Sequence, residues 1–138
     1  MISLIFWCLA AACCAVMDTL QHHFYSSKIY YTFRKPTQSY WWNPTYSWYN
    51  KYKGRNPQKG KIKWFSGLMD KPAFLTDGWH LFKMLMIVFI CLSIAFADGI
   101  YSNPKWYSYI VIVVVFGTVW NLTFNLFYNK LHYFSAFN

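Results

Sequence analysis

Residues 2–25 read ISLIFWCLAAACCAVMDTLQHHFY, an apolar run whose last turns carry Asp18, His22 and His23. A helix of this length measures about 36 Å, enough to cross the roughly 30 Å hydrocarbon core of a bilayer and reach its interface. An ionisable side chain inside such a helix is costly unless it is paired, hydrated or ligated, so its default interpretation is functional. The stretch predicts a first transmembrane helix over about residues 2–25 that ends in a polar site.

The composition favours an integral membrane protein. Of 138 residues, 57% are apolar, 24% are aromatic and only 12% are charged, and average soluble domains are far richer in charge. The net charge of +9 comes from thirteen Lys and Arg against four acidic residues, and ten of the thirteen lie between Lys28 and Lys71. Such clustering is typical of a cytoplasmic loop. It predicts an N-terminus outside and a cytoplasmic C-terminus, in an inner or plasma membrane.

Residues 26–78 form the long connection between the first two apolar helices, and they mix cations with aromatic rings. This mixture suits the headgroup layer of a membrane, where the rings are half immersed and the cations meet phosphate. Nucleic-acid binding is the weaker alternative, because apolar helices flank the segment on both sides. We expect the segment to bind anionic lipid headgroups through Trp48, Asn50, Lys51, Lys53 and Arg55, with Lys83 from the next helix.

Two further apolar runs complete an all-α membrane fold with three transmembrane helices in a single domain, 1–138. Thr76 or Asp77 is suited to cap a second helix over about residues 79–97. Asn103-Pro104 resembles an N-cap followed by proline in the first turn, which opens a third helix over about residues 104–130. The short connection predicts that these two helices are antiparallel neighbours.

Polar residues of the three helices fall at matching depths when each helix rises about 1.5 Å per residue. One layer holds Asp18, Lys83 and Asn121, and a second layer, near the cytoplasmic interface, holds His22, His80 and Asn125, with His23, Asp77 and Asn129 just beyond.

The third helix carries a polar stripe at steps of four and then three residues: Asn121, Asn125, Asn129 and His132. Lipid-facing carboxamides would be costly, so we expect this stripe to face the bundle interior.

The histidines and carboxylates define a candidate catalytic set of Asp18, His22, His23, Asp77 and His80. Zinc binds His nitrogen and Asp oxygen in a tetrahedral shell, so Asp18, His22, His23 and His80 are candidate ligands of a divalent metal such as zinc. Structural alternatives remain open at this point: Asp18 and Lys83 pair as ions, Asp77 only caps its helix, and the Asn residues only join helices.

Several short motifs accompany these residues: Met17-Asp18-Thr19-Leu20-Gln21-His22-His23, Trp42-Asn43-Pro44, Ser47-Trp48-Tyr49-Asn50-Lys51-Tyr52 and Thr76-Asp77-Gly78-Trp79-His80. Together they resemble a family of small bacterial and phage-encoded membrane proteins of unassigned activity. The resemblance covers roughly residues 17–83 and leaves out the third helix. It implies a shared site in which Trp48, Asn50 and Lys51 belong with Asp18, His23, Asp77 and His80.

Two classes of function follow. In the first, the chain is an interfacial enzyme in which a metal or a His/Asp pair activates water or accepts a proton beside an anionic headgroup. In the second, it is a non-catalytic assembly, channel or accessory subunit, as a homo-oligomer or with a partner membrane protein, whose polar layer fixes helix packing. The sequence contains no hydrolase elbow and no phosphate-binding glycine loop that would favour the first class.

Overall fold

The structure is a computed structural model that describes residues 2–33, 35–58, 73–97 and 106–131. These ranges are all-α, and three of their helices are long and apolar enough to cross a membrane. The predicted fold class is therefore confirmed and is consistent with an integral membrane protein. The helices in chain order are α1 (Ile2–His22), α2 (Lys28–Thr32), α3 (Pro36–Trp42), α4 (Pro44–Ser47), α5 (Gly78–Ala95) and α6 (Trp106–Leu131).

Helix α1 is the central helix of the three and packs against both α5 and α6. Three of its fully buried side chains are small, those of Ala10, Ala11 and Ala15, and small side chains let neighbouring backbones approach closely in membranes. At the start of α1, Ser3 Oγ donates to the carbonyl of Ser93 over 2.8 Å, and Ser93 Oγ donates back to the carbonyl of Ser3 over 2.9 Å. Since Ser93 lies near the end of α5, the two helices are antiparallel.

Helix α6 lies parallel to α1 on its other side. The indole Nε1 of Trp7 donates to the carbonyl of Phe116 over 2.8 Å, and the rings of His23 and Tyr128 meet at 5.7 Å between centroids. Residue numbers increase in the same direction along both helices, because Trp7 contacts Phe116 and His23 contacts Tyr128. Helices α5 and α6 are thus antiparallel, as the sequence predicted.

The expectation that α5 and α6 are direct neighbours is only partly met. An apolar cavity of about 480 Å³ lies between them and α1, lined by residues such as Trp7, Ile94 and Phe116. Each helix packs mainly against α1. The small side chains of α1 accommodate α5, whereas Trp7 fills the space towards α6, so neither helix needs the other for contact.

Helix α1 ends at His22, three residues earlier than the sequence predicted. A single 3-10 turn, Phe24–Ser26, follows it, and Ser27 then caps α2 because its Oγ accepts from the backbone N–H of Tyr30. The Ser27 hydroxyl also donates to the carbonyl of Phe24 over 2.6 Å. These local hydrogen bonds turn the chain out of the bundle at the membrane interface.

The described part of the long connection is built from short helices. Pro36 and Pro44 stand in the first turns of α3 and α4, and Asn43 caps α4 by accepting from the N–H of Thr45. Two 3-10 segments follow, Trp48–Lys51 and Lys53–Arg55. This segment packs back on the bundle through the core cluster Leu20, Phe24 and Ile29, which Trp42, Trp79 and Leu131 partly cover.

Helix α5 begins at Gly78 and ends at Ala95, close to the predicted 79–97. The predicted Asn103-Pro104 start of the third helix lies outside the described residues, and α6 is described from Trp106 to Leu131. His132, the last member of the predicted polar stripe, also lies outside them.

Candidate functional site

Asp77 and His80 form a hydrogen-bonded pair at the start of α5. The carboxylate of Asp77 is 2% exposed and accepts from the backbone N–H of His80 over 2.9 Å and from the Thr76 hydroxyl over 3.2 Å. The Nδ1 of His80 lies 2.8 Å and 2.9 Å from the two carboxylate oxygens. A carboxylate can only accept, so Nδ1 carries a proton, and in the neutral ring Nε2 has the free lone pair. Asp77 is therefore both the helix cap and the orienting partner of His80.

This pair lies in the wall of a cavity at the interfacial end of the bundle. The cavity has a volume of about 220 Å³ and is partly open. Its lining is mostly aromatic and apolar, with a few polar groups, which is the usual character of a small-molecule site. The lining residues are Leu20, Gln21, Trp42, Pro44, Ser47, Trp48, Asp77, Trp79 and His80.

Three parts of the chain supply this lining. The last turns of α1 contribute Leu20 and Gln21, the first turn of α5 contributes Trp79 and the Asp77–His80 pair, and α3, α4 and the following 3-10 turn contribute the remainder. A side chain at Gly78 would clash here, because a Cβ built on it comes within 2.9 Å of Cε3 of Trp42. Glycine at this position lets the Trp42 ring close over the start of α5.

Asp18 and His22 form a second pair, separate from the cavity. His22 Nε2 lies 3.9 Å from the Asp18 carboxylate, and both side chains are more than a third exposed. The Tyr128 hydroxyl of α6 hydrogen-bonds to Asp18, and His23 packs edge-on against the Tyr128 ring. These residues therefore belong to the α1–α6 side of the bundle.

The structure thus divides the predicted catalytic set in two. Asp77 and His80 come together beside Gln21, whereas Asp18, His22 and His23 lie towards α6. Residues of different helices can lie at the same depth and still point in different directions, because the side-chain direction turns by about 100° with each residue of a helix. Depth along the helices therefore predicts the layer in which the polar residues lie, but it does not predict which side chains meet.

The predicted zinc ligands are not gathered by the described part of the chain. Within those ranges, no group of three or more His, Cys, Asp or Glu side chains is placed to hold a metal. A catalytic zinc needs three protein ligands, and Asp18, His22, His23 and His80 do not supply them at one point. The donor set does not fit zinc in this arrangement, and the metal stays a prediction.

The predicted headgroup residues have separate surroundings. Trp48 lines the cavity and stacks on Tyr49 with ring centroids 4.0 Å apart. The side-chain amide of Asn50 instead donates to the backbone carbonyl of Tyr40, so it holds the 3-10 turn against α3. The Arg55 guanidinium lies 4.1 Å from the centroid of the Tyr40 ring, while the side chain of Lys53 lies outside the described atoms.

The alternative of an ion pair between Lys83 and Asp18 is not found among the described residues. The ammonium nitrogen of Lys83 lies 5.0 Å from the centroid of the Trp79 ring, one turn earlier on α5, in a cation–π contact. Asp18 has His22 as its ion-pair partner instead. Because Trp79 lines the cavity, the contact with Trp79 places the positive charge of Lys83 beside the site.

Lys51 is half-buried at the end of the 3-10 turn that starts with Trp48.

The expectation that the Asn stripe faces the bundle interior is wrong. Asn121, Asn125 and Asn129 are all exposed. The Nδ2 of Asn121 donates to the carbonyl of Gly117 over 3.0 Å, and Nδ2 of Asn125 donates to the carbonyl of Asn121 over 2.8 Å. The face of α6 that meets α1 carries Phe116, Trp120 and Tyr128 instead, because large rings fill the space beside Trp7.

Six cavity residues were not among the sequence candidates: Leu20, Gln21, Trp42, Pro44, Ser47 and Trp79. All six belong to the motifs around Asp18, Asn43, Trp48 and Asp77 that the sequence had already marked. The motifs were therefore a better guide than the ionisable residues alone.

The chain matches no known protein family, no curated protein and no solved structure. The resemblance to a family of small bacterial and phage-encoded membrane proteins accordingly stays a prediction.

Proposed function

We propose that this chain is a small membrane protein whose interfacial cavity binds the headgroup of an anionic lipid, with His80 as its general acid and base. The observation that carries the proposal is the Nδ1 of His80, held 2.8 Å from the buried Asp77 carboxylate in the wall of an aromatic cavity.

The pair is chemically suited to proton transfer. With Nδ1–H directed at Asp77, the free Nε2 of His80 accepts a proton from a bound hydroxyl or water, and the carboxylate stabilises the imidazolium that forms. The same nitrogen then returns the proton to a leaving group. Positioned acid–base groups of this kind raise the rate of a reaction by a factor of about 10²–10⁴.

The size and lining of the cavity favour a small polar group attached to an apolar body. A volume of about 220 Å³ is equivalent to roughly seven water molecules in the liquid, so it fits a headgroup and not a whole lipid. Trp42, Trp48 and Trp79 offer apolar contact, while Gln21 and Ser47 offer hydrogen bonds. Lys83, stacked on Trp79, supplies positive charge for a phosphate.

The test is to incubate the purified protein with phosphatidylglycerol and phosphatidylcholine bilayers and follow the lipid species by mass spectrometry. We expect conversion of phosphatidylglycerol by the wild type, a rate at least about 100-fold lower for His80→Ala, and a smaller loss for Asp77→Asn, which keeps a capping side chain. His22→Ala, on the α6 side, is the matched control and should retain the wild-type rate. Equal rates for His80→Ala and the wild type, or no conversion at all, would remove the catalytic role.

The non-catalytic alternative also has an observation in its favour. Asp77 caps α5, and the exposed side of α6 offers a surface for another membrane helix. If phosphatidylglycerol binds without conversion and binding needs Trp48 and Lys83, the cavity serves a lipid-binding accessory module.

A further inference from the structure

Helix α6 is the peripheral helix of the bundle, and one of its faces is polar where lipid would be expected. In the most apolar 18-residue stretch of α6 no residue is buried, whereas a third of the corresponding stretch of α1 is buried. Asn121 and Asn125 lie on the outer surface of α6, alongside the exposed Thr118. This placement is independent of the interfacial cavity.

The depth of these carboxamides makes their exposure costly. Asn121 lies 15 residues after Trp106 and ten before Leu131, so it is about 22 Å from one end of α6 and about 15 Å from the other. A helix of 26 residues extends beyond the roughly 30 Å hydrocarbon core on both sides. Asn121 therefore falls within the hydrocarbon, where no water satisfies a polar group, and Asn125 lies one turn nearer the predicted cytoplasmic interface.

The hydrogen bonds of the two residues are only half complete. Each Nδ2 donates once to the carbonyl four residues earlier. A carboxamide has a second N–H and two acceptor positions on its oxygen, and the Oδ1 atoms of Asn121 and Asn125 accept no hydrogen bond from the described residues. Each residue thus presents both a donor and an acceptor to its surroundings.

Such a surface is complementary to itself. In one membrane all copies of the chain insert in the same orientation, so the stripes of two copies lie at equal depth. Around a twofold axis along the membrane normal, the same patch meets itself, and the donor of one Asn faces the acceptor of its counterpart. Lipid tails offer neither group, and an unrelated helix has no reason to carry amides at these two depths.

We propose that two copies of this chain associate through the α6 face that carries the exposed side chains of Thr118, Asn121 and Asn125. The partner is a second copy, held by hydrogen bonds between carboxamides in the hydrocarbon layer. Helices α1 and α5, with the interfacial cavity, remain on the far side of each α6.

The test is energy transfer in phosphatidylcholine vesicles between full-length chains that carry donor and acceptor dyes on an added C-terminal tag. We expect transfer that falls with dilution in lipid, as in a reversible dimer. The double variant Asn121→Leu/Asn125→Leu should dissociate at a protein density at least tenfold higher. Leu126→Ala is the matched control, because Leu126 is 53% exposed and is turned by about 100° from Asn125 around the helix, and it should dimerise like the wild type.

Two results would overturn the proposal. One is a wild-type chain that shows no transfer at the highest protein density, with helical content intact by circular dichroism. The other is a double variant that dimerises as tightly as the wild type, which would place the interface elsewhere.

Discussion

At the scale of single residues, the carboxylate of Asp77 contacts both the backbone and the ring of His80. The same side chain caps α5 through the backbone N–H of His80 and orients the His80 ring. The sequence offered these as alternatives, a cap or a site residue, because the i, i+3 spacing fits both. The structure shows that the geometry of an N-cap brings the imidazole of the third residue into reach of the same carboxylate.

Gly78 is the residue on which the closure of the cavity depends. In Gly78→Ala the new Cβ would lie 2.9 Å from Cε3 of Trp42, so the ring must move. We expect a loss of about 1–3 kcal/mol in the free energy of unfolding, typical of overpacking, and a red-shifted tryptophan emission as Trp42 leaves its site. The measurement is unfolding in mixed micelles of increasing denaturing detergent.

Gly117→Ala is the matched control for this substitution. Its Cβ would meet nothing within 4 Å, and alanine is the better helix former, so stability should be unchanged or slightly higher. Equal destabilisation by both substitutions would show that the Trp42 contact does not decide the outcome.

At the scale of elements, the contact between α1 and α5 is fixed at one end by a reciprocal pair of hydrogen bonds. Ser3 and Ser93 each donate to the backbone carbonyl of the other, and their hydroxyl oxygens are 3.1 Å apart. Both residues are buried. Because hydrogen bonds between membrane helices are worth about 0.6 kcal/mol on average and up to about 1.7, the pair sets register more than it sets stability.

A double-mutant cycle of Ser3→Ala and Ser93→Ala should therefore give a coupling energy of about 0.6–1.7 kcal/mol in the free energy of unfolding. Cys91→Ala, at an exposed position of the same helix, should change stability little and serves as the control. Strict additivity of the two serine substitutions would contradict the reciprocal pair.

The elements were largely predictable from sequence, whereas their contacts were not. Apolar runs of membrane length locate α1, α5 and α6 directly, and Asp77 was one of two candidate caps, with Thr76. The rotation of each helix about its axis depends on side-chain packing. The edge-to-face packing of Trp7 against Phe116 and Trp120 turns this face of α6 towards α1 and the Asn stripe outward. The cost of exposing carboxamides to lipid had predicted the interior instead.

The cavity was harder to predict for a related reason. It is assembled from the end of α1, the start of α5 and the short helices between them, so residues far apart in sequence must meet. Gln21 and Ser47 carry no charge and occur at no recognised catalytic spacing. Their role follows only from the fold of residues 35–58 back onto the bundle.

At the scale of the whole molecule, the orientation in the membrane is a prediction from the ten cations between Lys28 and Lys71. A membrane-impermeant thiol reagent added outside intact cells should label a cysteine at Ser102 and miss one at Ser66. The native cysteines lie in the membrane helices and should stay unlabelled. The reverse pattern would place the cavity on the outer face.

The central claim is that His80 offers its free Nε2 to a headgroup in the interfacial cavity. The most direct measurement is the nitrogen-15 spectrum of the His80 ring in nanodiscs of phosphatidylcholine, with and without phosphatidylglycerol. We predict a proton on Nδ1 throughout and an Nε2 resonance that shifts only when phosphatidylglycerol is present. A proton resident on Nε2 in the neutral ring, or an Nε2 resonance indifferent to phosphatidylglycerol, would contradict the account.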